Sequence, residues 1–397
     1  MSGFQPVAAL LDAGARDGTF PAAQAVAIAH GREVFFGHAG SAHETTRFDL
    51  ASLTKVMATT ATFMRLWAMG LLAPEAPVRS WLPGSAIGKA GASVADLLYH
   101  RSGLPAFIPF FSSVLRNTPE LLRADCPPAT RVAARDAVVG RALHVEATKP
   151  IGSAAKYSDV GFIILAELLA CAGGAPLDAL YEEHVARPLG LEARFQPISR
   201  HAPRDEQDVA PTGTTRPREP APEQHGMWPP LAPAPSRPGE VDDDNAFVMD
   251  GVAGHAGLFG TARDVARFGQ AVLDDLAGAN RIAPASLWER ALTIDPSTPD
   301  STRALGFDTP TISAGRYLGR WPPGGFGHLG FTGVSLWVDR ARSLVVALCT
   351  NRTYNGRANV RIRQFRPRFH DAVVEAIGTD AMGGGASGGE PSGGKAT

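Results

Sequence analysis

Three places in the chain set a lysine three residues after a serine: Ser52/Lys55, Ser153/Lys156 and Ser392/Lys395. A hydroxyl becomes a useful nucleophile when a neighbouring base takes its proton, and a desolvated neutral lysine can be that base. Positions i and i+3 share a face only on a helix, so the local pattern discriminates among the three. Ser392/Lys395 lies in a Gly/Ser-rich tail, and Ser153/Lys156 in a glycine-containing loop that fixes no relation between the two side chains. Ser52-Leu53-Thr54-Lys55 instead opens a run in which Val56, Met57, Thr60, Phe63, Met64, Trp67 and Leu71 form one broad apolar face. A helix there brings the Ser52 hydroxyl within reach of the Lys55 amine, and its N-terminus offers unpaired N–H groups to a developing anion. An N-capping serine beside a surface lysine is the competing structural reading. Lysine is scarce, at positions 55, 89, 149, 156 and 395 only, so one placed by a motif carries extra weight.

Other chemistries are poorly represented. The G-x-S-x-G elbow occurs once, at Gly385-Ala386-Ser387-Gly388-Gly389, where the tail has no strand-to-helix turn to expose the hydroxyl. No H-E-x-x-H pair occurs among the 11 His, and no Cys/His cluster has zinc spacing, so no metal is expected. The absence of G-x-G-x-x-G and Walker-type loops in a strand–helix setting leaves no cofactor expected. Asp242, Asp243 and Asp244 lack the regular spacing of a calcium loop and read as a solvated turn. Basic residues (38) nearly cancel acidic ones (39), which gives no field for nucleic acid. Three Cys form no disulfide framework, and Cys171 and Cys349 read as buried small hydrophobes. The first thirty residues lack a secretory pattern, and the apolar run Val160–Ala172 is too short for a bilayer and contains Glu167. These features predict a soluble, cytoplasmic chain without a membrane partner; oligomeric state stays open.

The elements that must position Ser52 follow from periodicity. Phe4, Val7, Leu10, Leu11 and Ala15 mark a first amphipathic helix, and residues 23–37 read as two strands around His30–Gly31. Further helices are expected at 94–99, 159–171 and 261–276, a hairpin over 331–338 and 343–350, and a last helix near 357–377. Arg357, Arg361, Arg363, Arg366 and Arg368 read as a solvated or salt-bridged face of that helix. Residues 197–240 hold 11 of the 32 Pro and read as a long surface excursion. Strands at both ends with helices between predict one sheet built from both termini and a helical lobe inserted in it.

Two further motifs change the weight of Ser52/Lys55. Tyr157-Ser158-Asp159 opens an apolar helix, and Gly327-His328-Leu329-Gly330-Phe331-Thr332-Gly333 leads into the predicted hairpin. With Asp96–Pro105 and Gly251–Phe259, these stretches resemble in order and spacing the serine β-lactamase-like superfamily, closest to its class C, penicillin-binding-protein-like and esterase branch. The resemblance spans about residues 20–375. It implies an α+β fold, an antiparallel sheet flanked by helices plus an inserted helical lobe, with the active site in the cleft between. The implied unit covers residues 1–378, with a sheet lobe from about 1–50 and 300–378, a helical, loop-rich lobe over about 51–299, and a flexible tail at 379–397.

By the same resemblance Ser52 is the acylated nucleophile, and Lys55 and Tyr157 share its proton as a coupled pair. The N–H groups of Ser52 and Phe331 form the oxyanion hole, and Asp159, Gly330 and Phe331 contact substrate. His328 stands where many relatives have the lysine of a K-T-G triplet, and Asp159 where many have asparagine. Both departures weaken a substrate-carboxylate clamp, and an Asp159–Lys55 ion pair is an equally good organising role. His328 is assigned to catalysis; His100 and Ser102 read as turn-stabilising, and His255 as shaping the cleft wall. The expected activity is a serine hydrolase acting on a small ester, amide or β-lactam, esterase- or amidase-like first. β-lactamase, D-amino-acid peptidase and a non-catalytic receptor are the alternatives.

Overall fold

The computed structural model describes residues 3–200, 208–310, 321 and 324–383. In chain order its main elements are helix α1 (Gln5–Arg16) and strands β1 (Ala22–Ala29) and β2 (Arg32–Gly40). Helices α2 (Ala61–Ala68), α3 (Phe110–Asn117), α4 (Pro128–Leu143), α5 (Asp159–Gly173) and α6 (Ala262–Leu276) follow. Strands β3 (Phe326–Leu329), β4 (Ser335–Asp339) and β5 (Leu344–Thr350) then lead to helix α7 (Ile362–Gly383).

The five strands form one antiparallel sheet in the order β2-β1-β5-β4-β3, so both chain ends build it as the element order predicts. The β1–β2 connection uses His30 and Gly31, both left-handed at φ 48° and 75°, a mirror-image turn that matches the strand twist. Strand periodicity sorts β1 between two cores. Ala23, Ala25, Ala27 and Ala29 face a layer made with α1 and α7, whereas Val26 and Ile28 face the core shared with the helical lobe. α6 covers this second face so closely that a Cβ on Gly269 would lie 2.7 Å from Val345. That corrects the lobe boundary: α6, expected in the helical lobe, packs on the sheet because its strongly one-sided apolar face has the sheet to cover.

The helical lobe centres on α5, whose apolar residues from Val160 to Leu169 are buried all round. Its start is capped by Ser158, whose Oγ accepts from the Gly161 N–H at 3.1 Å, and Gly174 at φ 73° stops it. The α5 N-terminus therefore presents Tyr157 and Asp159 to the cleft. A short ladder of Phe48–Asp49, Leu258–Gly260 and Arg194–Phe195 ties the lobes together beside Ser52.

Several local expectations are corrected. Strand β3 escapes the sequence pattern because it is four residues long and interrupted by Gly327; it forms the sheet edge and carries His328. Cys171 is exposed on α5, not buried. The last helix starts at Ile362 and runs to Gly383, past the expected tail boundary; Ser387, Ser392 and Lys395 lie outside the described residues. Of the two expected alternatives for the arginines near the last helix, Arg357 takes the salt-bridged one, with Asp242 and Asp244, and it and Arg366 are buried, not solvated; Arg357 also bonds the Asp242 carbonyl and Arg366 those of Gly330 and Val334. The proline-rich excursion is not confined to the surface: Thr215–Arg216 pairs with Ala234–Pro235, and Arg216 is buried. Among the described residues no single helix is long and apolar enough to cross a membrane.

Candidate active site

Ser52 sits on a strained turn rather than inside a regular helix. The preceding Ala51 has φ 46°, a left-handed conformation that a Cβ disfavours. Asp49 holds the turn: its Oδ1 accepts from the Ala51 N–H at 2.8 Å, its Oδ2 from the Asp242 N–H at 2.6 Å, and its carbonyl from the Thr332 hydroxyl at 2.7 Å. Burial pushes the Asp49 pKa up to about 7, despite the two N–H donors. The chain then makes a single π-type turn over Lys55–Thr60 before α2 begins. Such turns concentrate at functional sites, where the extra residue re-aims side chains.

The Lys55 side chain is fully buried, and its Nζ meets three oxygens: Ser52 Oγ at 3.1 Å, Asp159 Oδ1 at 2.7 Å and the His255 carbonyl at 3.2 Å. It also lies 4.7 Å from the centre of the Tyr157 ring. Burial pulls the lysine pKa down, but the Asp159 carboxylate and the Tyr157 oxygen outweigh it and hold the pKa above the ordinary value. Lys55 is therefore an ammonium, not the neutral base that desolvation alone would create. Burial pushes the Tyr157 pKa up, and the Lys55 charge offsets this only in part. Ser52, Lys55, Tyr157 and Asp159 are thus one connected cluster.

His328 stands behind Tyr157, with ring centres 5.8 Å apart. Burial, then the Lys55 and Arg303 charges, hold its pKa well below the ordinary value, so the imidazole is neutral. Its Nδ1–H donates to the Leu329 carbonyl at 2.7 Å, which makes Nε2 an acceptor, buried and without a partner among the described residues. Arg303, which no sequence motif singles out, lies 5.3 Å from the Tyr157 ring centre and pairs with Asp308. Asp308 exchanges backbone hydrogen bonds with Gly327 of β3, which places Arg303. Gly330 packs on the nucleophile turn, where an added Cβ would lie 3.0 Å from the Leu50 carbonyl. Its N–H bonds Val334 and its carbonyl Arg366, so it shapes the wall from behind. The Phe331 carbonyl is held by Arg352 Nε at 2.7 Å. Neither the Ser52 nor the Phe331 N–H donates to a protein acceptor among the described residues, as an oxyanion hole requires.

Ser52, Tyr157, Asp159 and Phe331 line a cleft of about 680 Å³, its open mouth included, with Lys55 and His328 behind them. One wall is aromatic, from Phe107 and Phe111, both braced by Trp228 of the proline-rich excursion at 6.3 and 5.0 Å between ring centres. The same excursion adds Gln224 to the lining. The other wall is polar. Asp242, Asp243 and Asp244, expected in a solvated turn, are packed into it. Arg357 bonds Asp242 at 3.1 Å and Asp244 at 3.4 Å, and Arg216 reaches Asp244 at 2.6 Å. Asp243 Oδ1 pairs with His255 Nε2 at 2.9 Å; burial pushes its pKa up, but the imidazole and the Ala246 N–H hold it below the carboxylate range. His255 shapes the cleft wall as expected, whereas sequence reasoning missed Asp242–Asp244 as part of it, and Phe107, Phe111 and Arg303, because single aromatic and charged residues carry no spacing signal. Ser153 and Lys156 are both exposed, and Ser153 bonds the Pro150 carbonyl.

The family model Beta-lactamase matches residues 7–366, nearly the whole described chain. The chain belongs to the β-lactamase family. N-acetylmuramyl-L-alanine amidase of Bacillus subtilis (strain 168) is 30% identical over 324 residues, 78% of this chain and 68% of that protein. Among solved structures, a penicillin-binding protein homolog from Caulobacter crescentus superposes with a TM-score of 0.68 at 19% identity, covering 95% of this chain and 98% of that one. EstA from Arthrobacter nitroguajacolicus gives a TM-score of 0.66 at 20% identity, covering 96% and 98%. These two likenesses confirm the α+β fold. The family is one of hydrolases.

Proposed function

We propose that the protein is a serine hydrolase that opens an amide through an acyl-enzyme on Ser52. The observation that carries the reading is the contact of the Ser52 hydroxyl with Lys55 Nζ, at 3.1 Å, in an open cleft that Tyr157 lines beside them. With Lys55 ion-paired to Asp159, we assign the first proton lost by the Lys55–Tyr157 pair to the phenol. The phenolate takes the Ser52 proton as Oγ attacks the carbonyl carbon, and the Ser52 and Phe331 N–H groups receive the oxyanion. Tyr157 then passes that proton to the departing amine as the C–N bond breaks. In the second half Tyr157 takes a proton from water, the hydroxide displaces Ser52 from the acyl group, and the proton returns to Oγ. Lys55 remains an ammonium throughout and steadies each anion in turn.

Amide substrates rank first because the amidase relative, at 30% identity, is similar over most of the chain. An N-acylated alanine amide of the muramyl type is the compound class to try first. Ester hydrolysis is the second reading. A neutral His328 replaces the ammonium of the K-T-G triplet, so the site lacks that anchor for a β-lactam carboxylate. Intact-mass measurement after treatment with a fluorophosphonate is expected to show one adduct in the wild type and none in Ser52→Ala. A folded protein that takes up no adduct sinks the reading. A panel of acyl-alanine amides, short-chain esters, a chromogenic cephalosporin and D-Ala-D-Ala peptides ranks the substrates, and turnover confined to esters replaces amide by ester.

A further inference from the structure

Tyr157 closes a loop without regular structure that runs from residue 150 and ends where α5 begins. A phenol that shuttles protons must be held to within a fraction of an ångström, and coil by itself does not do this. One residue from a distant turn grips the chain on both sides of it. The His100 carbonyl accepts from the Lys156 N–H at 2.7 Å, and His100 Nδ1 accepts from the Ser158 N–H at 3.1 Å. The His100 ring lies between Tyr157 and Phe162, 4.7 and 5.0 Å from their centres. His100 is 2% exposed and left-handed at φ 57°, a conformation that persists only where surrounding contacts enforce it. Two more backbone bonds zip the same turn to the loop, from Gly152 to the Arg101 carbonyl at 2.8 Å and from Thr148 to the Gly103 carbonyl at 2.9 Å.

We propose that His100 is the positioning residue for Tyr157: it clamps the backbone at residues 156 and 158 and underlays the ring, so that the phenol oxygen stays against Ser52 and Lys55. Acceptance at Nδ1 sets the tautomer, with the proton on Nε2. Burial, and the charges of Arg303 and Lys55, keep the ring neutral, as an acceptor at Nδ1 requires. The turn-stabilising role expected for His100 thus extends to the reacting group. The inference rests on Tyr157 acting on Ser52, as proposed above, so its test includes a readout that needs no substrate.

The charged and titratable groups facing Tyr157 are Lys55, Asp159, Arg303 with its partner Asp308, His100 and His328. Phenolate absorbance, titrated in each protein and corrected with its own Tyr157→Phe counterpart, isolates this residue from the other tyrosines. His100→Asn keeps tolerance for a left-handed φ and an acceptor oxygen but loses the ring; His100→Phe keeps a ring and loses the acceptor. Both are expected to lower kcat by about ten- to a hundredfold with KM within about threefold. In both, the Tyr157 titration moves by roughly one unit, because a displaced phenol leaves the burial, the Asp159 carboxylate and the Lys55 ammonium that together set it. A moved titration in a protein that hydrolyses nothing supports the role of His100 and overturns the proposed function instead. Unmoved titration overturns the inference, whether the variants keep activity or lose it together with melting temperature. Failure of both variants to fold where Ser52→Ala folds also overturns it, by making His100 a fold residue.

Discussion

At the scale of single residues, Asp159 decides the charge state of the centre. Its carboxylate, 2.7 Å from Lys55 Nζ, raises the pKa of both Lys55 and Tyr157. If a proton must leave this pair before Ser52 can be activated, kcat/KM climbs with pH and is still climbing in the alkaline range. Asp159→Asn removes the anion that favours the protonated forms, so the limb moves to lower pH by about one unit, and activity near neutrality rises by up to about tenfold. A pH–rate profile from about pH 6 to 11 checks this, and a limb left in place assigns the alkaline step to another group. His328 supplies a second test. As a neutral ring behind Tyr157, His328→Ala is expected to cut turnover by roughly ten- to a thousandfold with little change in KM and in melting temperature. His328→Lys does not restore it, since an ammonium has no acceptor nitrogen. A fall in melting temperature that parallels the loss of activity marks His328 as structural.

Elements show where local pattern suffices and where it does not. The helix after Ser52, α5, α6 and the β1–β2 and β4–β5 hairpins follow from apolar periods of 3.6 and 2. Strand β3 and the proline-rich excursion do not, because four residues with a glycine carry no period and proline-rich chain takes its shape from what it lies on. The excursion is anchored by Arg216, whose guanidinium stacks 4.1 Å from the Phe247 ring centre and pairs with Asp244. Trp228 then braces Phe107 and Phe111. Trp228→Ala loosens this wall without touching the reacting groups. KM for amides with a bulky apolar acyl group is expected to rise about tenfold and kcat to change less than about threefold, for about 1–2 kcal/mol of stability. Steady-state kinetics with a small and a bulky acyl group separate the outcomes, and equal effects on both show that the excursion does not form a specificity wall.

For the whole molecule, the sheet separates two apolar cores. The outer one, between the sheet and helices α1 and α7, contains His370, fully buried, with Nε2 3.3 Å from the Ser335 hydroxyl. Burial and the neighbouring Arg366 charge hold its pKa at about 3. The unfolded chain binds this proton near pH 6.5 and the folded chain does not, so stability falls as the pH falls through the interval between. His100 and His328 act in the same direction. Asp49 acts oppositely: raised to about 7, it holds a proton in the fold that the unfolded chain releases near pH 4, so its share of stability falls as pH rises. Acid destabilisation from about pH 6.5 downward is expected from the three histidines. In His370→Gln the slope of unfolding free energy against pH should be shallower by one proton, about 1.4 kcal/mol per pH unit. Denaturant titrations at several pH values measure it, and an unchanged slope means His370 is protonated in the fold.

The sequence by itself determined the short motifs in which Ser52, Lys55, Tyr157 and His328 stand, and in which order the elements carry them. Those features are local: Ser52 and Lys55 are three residues apart, Tyr157 directly precedes the cap of α5, and the motif around His328 is continuous. Tertiary structure alone decided their chemical state. Lys55 reads from its own neighbours as a desolvated amine, yet a carboxylate at the head of α5 and the carbonyl of His255, 200 residues away, make it an ammonium. Asp242–Asp244 read as a solvated turn until Arg216 and Arg357 arrive to pair them. Periodicity reports which face of an element is buried; the charge a buried group keeps depends on partners that only the folded chain assembles.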